Sequence, residues 1–270
     1  MKQRALVFLG VLIGIYFTYF SIHVLHLFAV ISSCLAGIFS LLPFFKKLGL
    51  KAEFSVAIYC GSFAGMGHVL NAYELLLTAI LVWLLMMLFA NFFKGFGGKL
   101  GLIAYAGSVI TEFIILVFGG QNIHNLSPIK LLFHFDPLSD FYSIISVIIA
   151  STLGFYTSVF FHHYLKKGAI FSSAFPSLVI GLLEYFPIAH ISLFTTTFFS
   201  ASFAGMLAQD LMPKRLFIML VIVHFLTSIL VKNNLGEYGG ALGAIAFFSV
   251  FIVLQIYFIA LYSKQLFYRT

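Results

Sequence analysis

The pentapeptide Ser62-Phe63-Ala64-Gly65-Met66 returns unchanged as Ser202-Phe203-Ala204-Gly205-Met206, 140 residues later. A second match follows in the same order. Gly97-Gly98-Lys99-Leu100-Gly101-Leu102-Ile103-Ala104 and Gly239-Gly240-Ala241-Leu242-Gly243-Ala244-Ile245-Ala246 agree at six of eight positions, 142 residues apart. One five-residue match in a Phe-rich chain can arise by accident. Two matches in one order, at nearly one offset, point to an internal duplication. The competing reading is independent reuse of Gly and Ala packing motifs, which membrane helices favour.

Composition sets the class of fold that is duplicated. Of the 270 residues, 62% are hydrophobic, 18% aromatic and only 9% charged, and the mean hydropathy is +1.10. A soluble domain runs near ~45–50% apolar and ~25% charged, so a water-soluble globule is excluded. A transmembrane helix takes roughly 20 apolar residues, so ten of them use about 200. About 70 residues remain for loops and tails, which leaves no room for an extramembrane domain. The chain reads as all-α and polytopic.

Working outward from the repeats, apolar runs bounded by polar, Gly or Pro punctuation predict ten helices. They cover 5–22, 25–45, 54–71, 73–93, 98–120, 139–163, 168–186, 190–209, 215–231 and 240–262. Residues 5–45 form one continuous apolar run in which only Ser21, His23 and His26 hint at a turn. As a single helix it would be about 61 Å long at 1.5 Å per residue, twice the hydrocarbon thickness. Basic residues at both ends favour a hairpin. The opening Met1-Lys2-Gln3-Arg4 mimics a signal peptide, but no small-residue cleavage site leads to a polar mature chain, so it is read as the start of the first membrane hairpin.

The cations test the helix count independently. With the N-terminus in the cytoplasm, Lys2, Arg4, Lys46, Lys47, Lys51, Lys94, Lys99, Lys166, Lys167, Lys214, Arg215, Lys264 and Arg269 all fall inside. Only Lys130 and Lys232, of 15 basic residues, fall outside. Short cytoplasmic loops carry such an excess. The formal charge of +7 is therefore spent on topology, and nucleic acid is not implied, because its binders gather cations on one folded face. The expected location is the plasma (bacterial inner) membrane, with both termini cytoplasmic.

The offset carries helices 1–5 onto helices 6–10. Five is odd, so the second unit enters the membrane from the opposite side. The expected domains are residues 1–125 and residues 126–270, two inverted five-helix repeats forming one membrane domain. In organisation this resembles the five-plus-five inverted-repeat transporters and the urea-transporter type of channel. The resemblance is architectural, covers the whole chain, and transfers no residues. It implies a site near the midplane, between the repeats, where helices are often broken.

Candidate pathway residues follow. Ser62, Gly65, Ser202 and Gly205 lie mid-helix among small neighbours. Such residues serve a broken helix facing a pathway or two helices packed closely, and the sequence leaves both readings open. Glu112 is the acid deepest in a predicted span. It costs roughly 2.5–3.5 kcal/mol on insertion scales, so it should face protein or a water-filled cavity, where it is a candidate proton carrier. Gln255 lies at nearly the same depth in the other repeat. His68 ends helix 3 and Thr196 sits in a three-threonine run, although threonine hydroxyls also bond back to their own helix. His224, inside helix 9, reads as a packing histidine.

Cys34 and Cys60 lie in apolar runs and make neither a disulfide framework nor a zinc site. No phosphate loop, zincin, serine-hydrolase or Cys-x-x-Cys motif is present. The expectation is therefore no enzyme, no cofactor and no metal. It is a secondary carrier or channel for a small solute, proton-coupled if Glu112 titrates, with the lipid bilayer and a further copy of the chain as partners. The alternatives are a membrane subunit of a larger complex and an integral-membrane lipid-handling enzyme.

Overall fold

A computed structural model describes residues 2–67, 71–118, 140–208, 210–235 and 238–267. Among the described residues every regular element is helical. The longer helices are α1 (Lys2–His23), α2 (Ala29–Ser40), α3 (Ala52–Ala64), α4 (Ala72–Leu88) and α5 (Lys99–Phe118). They continue with α6 (Phe141–Val159), α7 (Ala169–Gly181), α8 (Ile191–Ala204), α9 (Phe217–Leu235) and α10 (Ala241–Phe267). Among the described residues, five stretches are long and apolar enough to cross a membrane: Gln3–His23, Lys99–Phe118, Phe141–Tyr164, Lys214–Val231 and Ala241–Ser263. The chain is an all-helical membrane protein.

The expected hairpin in residues 5–45 is present. Helix α1 stops at His23, and His26 takes a left-handed φ of 54° in the turn before α2. Other helices are shorter than the apolar runs that encode them. The run 54–71 gives a helix ending at Ala64, and the run 190–209 one ending at Ala204. Both stop in the same way. Gly65 N–H bonds to Gly61 O, then Met66 and Gly67 tighten to Phe63 O and Ala64 O. Gly205, Met206 and Leu207 repeat this on Ala201, Phe203 and Ala204. Tight i→i−3 bonds at a helix end use up carbonyls that would otherwise be orphaned.

Tertiary contacts recur at the same offset. Helix α1 runs along α3, and α6 along α8. At the first crossing a Cβ on Gly65 would lie 2.6 Å from Ile15 O; at the second, a Cβ on Gly205 would lie 2.6 Å from Phe155 O. Cys60 Sγ–H donates to Leu100 O at 3.3 Å, and Ser200 Oγ–H donates to Leu242 O at 2.7 Å. Helices α5 and α10 cross antiparallel at Gly101 and Gly243, each glycine lying against the other's Cα. Helices α2 and α7 are also antiparallel, with Phe28 on Tyr185 and Gly181 on Ile31.

Between these pairs lies the core. Tyr59 and Phe63 of α3 meet Phe199 and Phe203 of α8, with Phe63 and Phe203 centroids 4.9 Å apart. The outer contacts, Tyr59–Phe203 at 6.3 Å and Phe63–Phe199 at 6.1 Å, match each other. All four rings are buried, and tilted aromatic pairs of this spacing add to the burial of their area.

Three loops with basic residues gather at one end. Ala208 N–H bonds to Gly95 O at 2.9 Å, joining the segment after α8 to the one after α4. Lys214 Nζ lies 5.2 Å from the centre of the Tyr164 ring, which brings in the segment after α6.

Candidate functional site

The predicted small-residue motifs are packed crossings. Ser62 is buried, with its hydroxyl 2.8 Å from that of Ser33 and donating to Tyr59 O at 2.8 Å. Ser202 is buried and donates to Phe199 O at 2.7 Å. Gly65 and Gly205 face the backbones of α1 and α6. A methyl group at either would meet backbone that cannot move aside.

Four buried rings fill the space between the two segments that carry these motifs.

Glu112 and Gln255 are not brought together. Their helices cross antiparallel at Gly101 and Gly243, so the two residues lie in opposite directions from the crossing. At 1.5 Å per residue this separates them by roughly 35 Å. Glu112 is half-buried in α5, within electrostatic reach of Tyr105, and Gln255 is exposed on α10. Thr196 Oγ1 donates to Ser192 O at 2.7 Å, one turn back on its own helix. His68, and the boundary between the expected domains at residues 125 and 126, lie outside the described residues.

A cavity of about 660 Å³ opens at the end of the bundle that carries Arg4. Four elements wall it: the first turns of α1, α3 and α5 and the last turn of α4. Arg4, Glu53 and Lys99 bring charge to it, while Val7, Met87 and Ile103 supply apolar wall. Val7 and Ile103 are buried, at 5% and 4% exposure, whereas Arg4 and Glu53 are exposed. The cavity is therefore charged at its rim and apolar at depth. Its size falls within the ~300–1,000 Å³ usual for small-ligand sites, which combine apolar walls with a few polar groups.

Local structure fixes those groups. The backbone of Arg4 is held by the Trp83 indole N–H, which donates to Arg4 O at 3.1 Å, with Phe8 edge-on to Trp83. That contact leaves the guanidinium unused. Lys99 follows Gly98, whose φ of +80° turns the chain into α5. Its ammonium donates to Phe92 O at 2.6 Å and Ala90 O at 3.4 Å, tying down the segment after α4. The lining thus carries two cations and one carboxylate. Among the described residues, neither Arg4 nor Glu53 is in an ion pair.

A second polar cluster is fully enclosed. His224 of α9 is 1% exposed and sits between Ser151 Oγ, 3.1 Å from Nδ1, and Ser200 Oγ, 3.0 Å from Nε2. The Ser200 proton is committed to Leu242 O at 2.7 Å. Ser200 must therefore accept from Nε2–H, and Nδ1 accepts from Ser151. One neutral tautomer satisfies all three groups.

The chain matches no protein-family model, no curated protein and no solved structure.

In the sequence Arg4 and Lys99 read as topological charges, and Glu53 belongs to no motif. One signal was available. Lys99 is the charged difference between the two glycine octamers, where the second copy has Ala241. A charge that appears in only one of two matching apolar motifs needs a reason beyond packing. Among the described residues, no three His, Cys, Asp or Glu side chains gather as a metal site.

Proposed function

We propose that this chain is a membrane transport protein made of two inverted five-helix repeats, with ten spans and both termini cytoplasmic. The observation that carries the reading is the reciprocal contact of Gly101 and Gly243. Two equivalent residues touch only where a two-fold axis passes between them. The paired helix ends, the paired crossings and the ring pairs of the core recur at the same offset and support it. Inverted repeats of this kind move by rocking one bundle against the other around a central barrier.

In this reading the four rings are the closed barrier, and the cavity beside Arg4 and Lys99 is the solute's entrance from the cytoplasm. The gathering of the Lys94, Lys166 and Lys214 segments at one end supports that orientation. Proton coupling through Glu112 belongs to the same proposal, because a half-buried carboxyl in α5 would need a water-lined or protein-lined path to exchange its proton.

Uptake by proteoliposomes containing the full chain tests the proposal, with radiolabelled carboxylates, amino acids and sugars as probes. Saturable uptake above that of protein-free vesicles is expected for one class. Background uptake across all three classes would contradict it.

A further inference from the structure

We infer that the cavity between α1, α3, α4 and α5 binds a single-chain carboxylate amphiphile, its acid group between Arg4 and Lys99 and its chain against Val7, Met87 and Ile103. The inference rests on the transport reading for the ligand's fate, but not for its chemistry.

The polarity gradient selects an amphiphile. A small hydrophilic anion would leave the half-buried Val56, Met87 and Leu100 surfaces facing its hydration shell, with no gain from apolar burial. A purely apolar ligand would displace water from Arg4 and Lys99 and offer no hydrogen bonds in return. A carboxylate with an apolar chain meets both demands.

Donor count selects the head group. Two bonds of the Lys99 ammonium are committed to Phe92 O and Ala90 O, leaving one N–H. Arg4 keeps its guanidinium fork, which matches a planar carboxylate through two parallel bonds. Charge balance agrees. Arg4 and Lys99 against Glu53 leave one positive charge in excess, which a monoanion neutralises and a dianionic phosphate would overshoot. Volume favours a single chain, since about 660 Å³ suits one drug-sized ligand better than a two-chain phospholipid.

Trp83 makes binding measurable. It is the single tryptophan of the chain and is bonded to the backbone of Arg4. A brominated twelve-carbon carboxylate, titrated into the full chain in detergent, should quench Trp83 fluorescence saturably. The brominated alcohol of equal length should bind at least about tenfold more weakly, since a charge-assisted hydrogen bond contributes about 1.5–3 kcal/mol. Arg4→Gln should weaken carboxylate binding by a similar factor, and it spares the Trp83 bond, which goes to the backbone. Glu53→Gln should tighten binding.

Three results would overturn the inference. These are equal affinity for acid and alcohol, no change in Arg4→Gln, and quenching by brominated phosphatidylglycerol that the free carboxylate cannot displace. Binding is read without uptake. Intact binding with no transport would therefore overturn the transport reading and leave the site standing.

Discussion

A Cβ placed on either Gly101 or Gly243 would fall onto the Cα of the other. The contact is reciprocal because α5 and α10 cross at the same residue of the same motif. No side chain larger than hydrogen fits at either position. Gly101→Ala and Gly243→Ala should therefore destabilise the protein to a similar degree, by about 1–3 kcal/mol each, the usual cost of overpacking. Thermal unfolding of the purified variants checks this. A neutral result at one position with a loss at the other would show that the two are not equivalent.

The buried histidine gives a second prediction. His224→Val removes the acceptor of the Ser151 hydroxyl and the donor to Ser200. Leaving a buried polar group without a partner costs about 1–3 kcal/mol. At the matching offsets of 140 and 142 residues, Ser151, Ser200 and His224 correspond to Val11, Cys60 and Val82. Those three are buried and pack in the main core. The triple variant S151V/S200C/H224V should thus recover most of the stability that H224V alone loses. If the losses simply add, the correspondence is wrong.

Which parts of this were legible beforehand follows from what the sequence encodes locally. Helix order was legible because apolar runs and basic loops are local signals, and the offset was legible because the glycine motifs kept their spelling. Helix ends were not. The stops at Ala64 and Ala204 depend on Gly65 and Gly205 meeting the Ile15 and Phe155 carbonyls, contacts with helices far away in the sequence. The cavity was hidden for a different reason. The charge rule for loops accounts for Arg4 and Lys99 without any site, and Glu53 stands among cations as one more loop residue. Pairing Glu112 with Gln255 by depth failed because depth is measured along the helix, and antiparallel helices leave a shared crossing in opposite directions.

Glu112 remains the place to test proton coupling. Glu112→Gln keeps the size and hydrogen-bonding capacity of the side chain but cannot titrate. Uptake driven by a pH gradient should be abolished, while exchange of solute across the membrane at uniform pH should persist. Unchanged pH-driven uptake would make Glu112 a structural residue.

The start of α6 carries a pH signature of its own. Asp140 caps the helix by accepting the Ser143 backbone N–H at 2.9 Å, and His190 Nε2 lies 3.9 Å from its carboxylate. The hydrogen bonds from Ser143, and then the nearby His190, hold its carboxyl pKa below the ordinary carboxylate value. A depressed folded-state value means that the cap stabilises the fold above the unfolded pKa, near ~3.9, and is lost as pH falls through the folded value. Asp140→Asn keeps a capping oxygen and should flatten the stability profile below about pH 4. An unchanged acid limb in thermal melts from pH 3 to 6 would assign it to other carboxylates.

The central claim, that the two halves are inverted in the membrane, is tested most directly by thiol labelling in intact cells and inside-out vesicles. Native Cys34 and Cys60 are fully buried, so introduced cysteines report against a low background. Lys47 follows α2 and Lys166 precedes α7, its counterpart in the other half, while Val24 and Tyr185, both exposed, lie at the other ends of α2 and α7. Cysteines at 47 and 166 should label from one side of the membrane, and those at 24 and 185 from the other. Labelling of 47 and 166 from opposite sides would contradict the inversion, and the transport reading built on it would go with it.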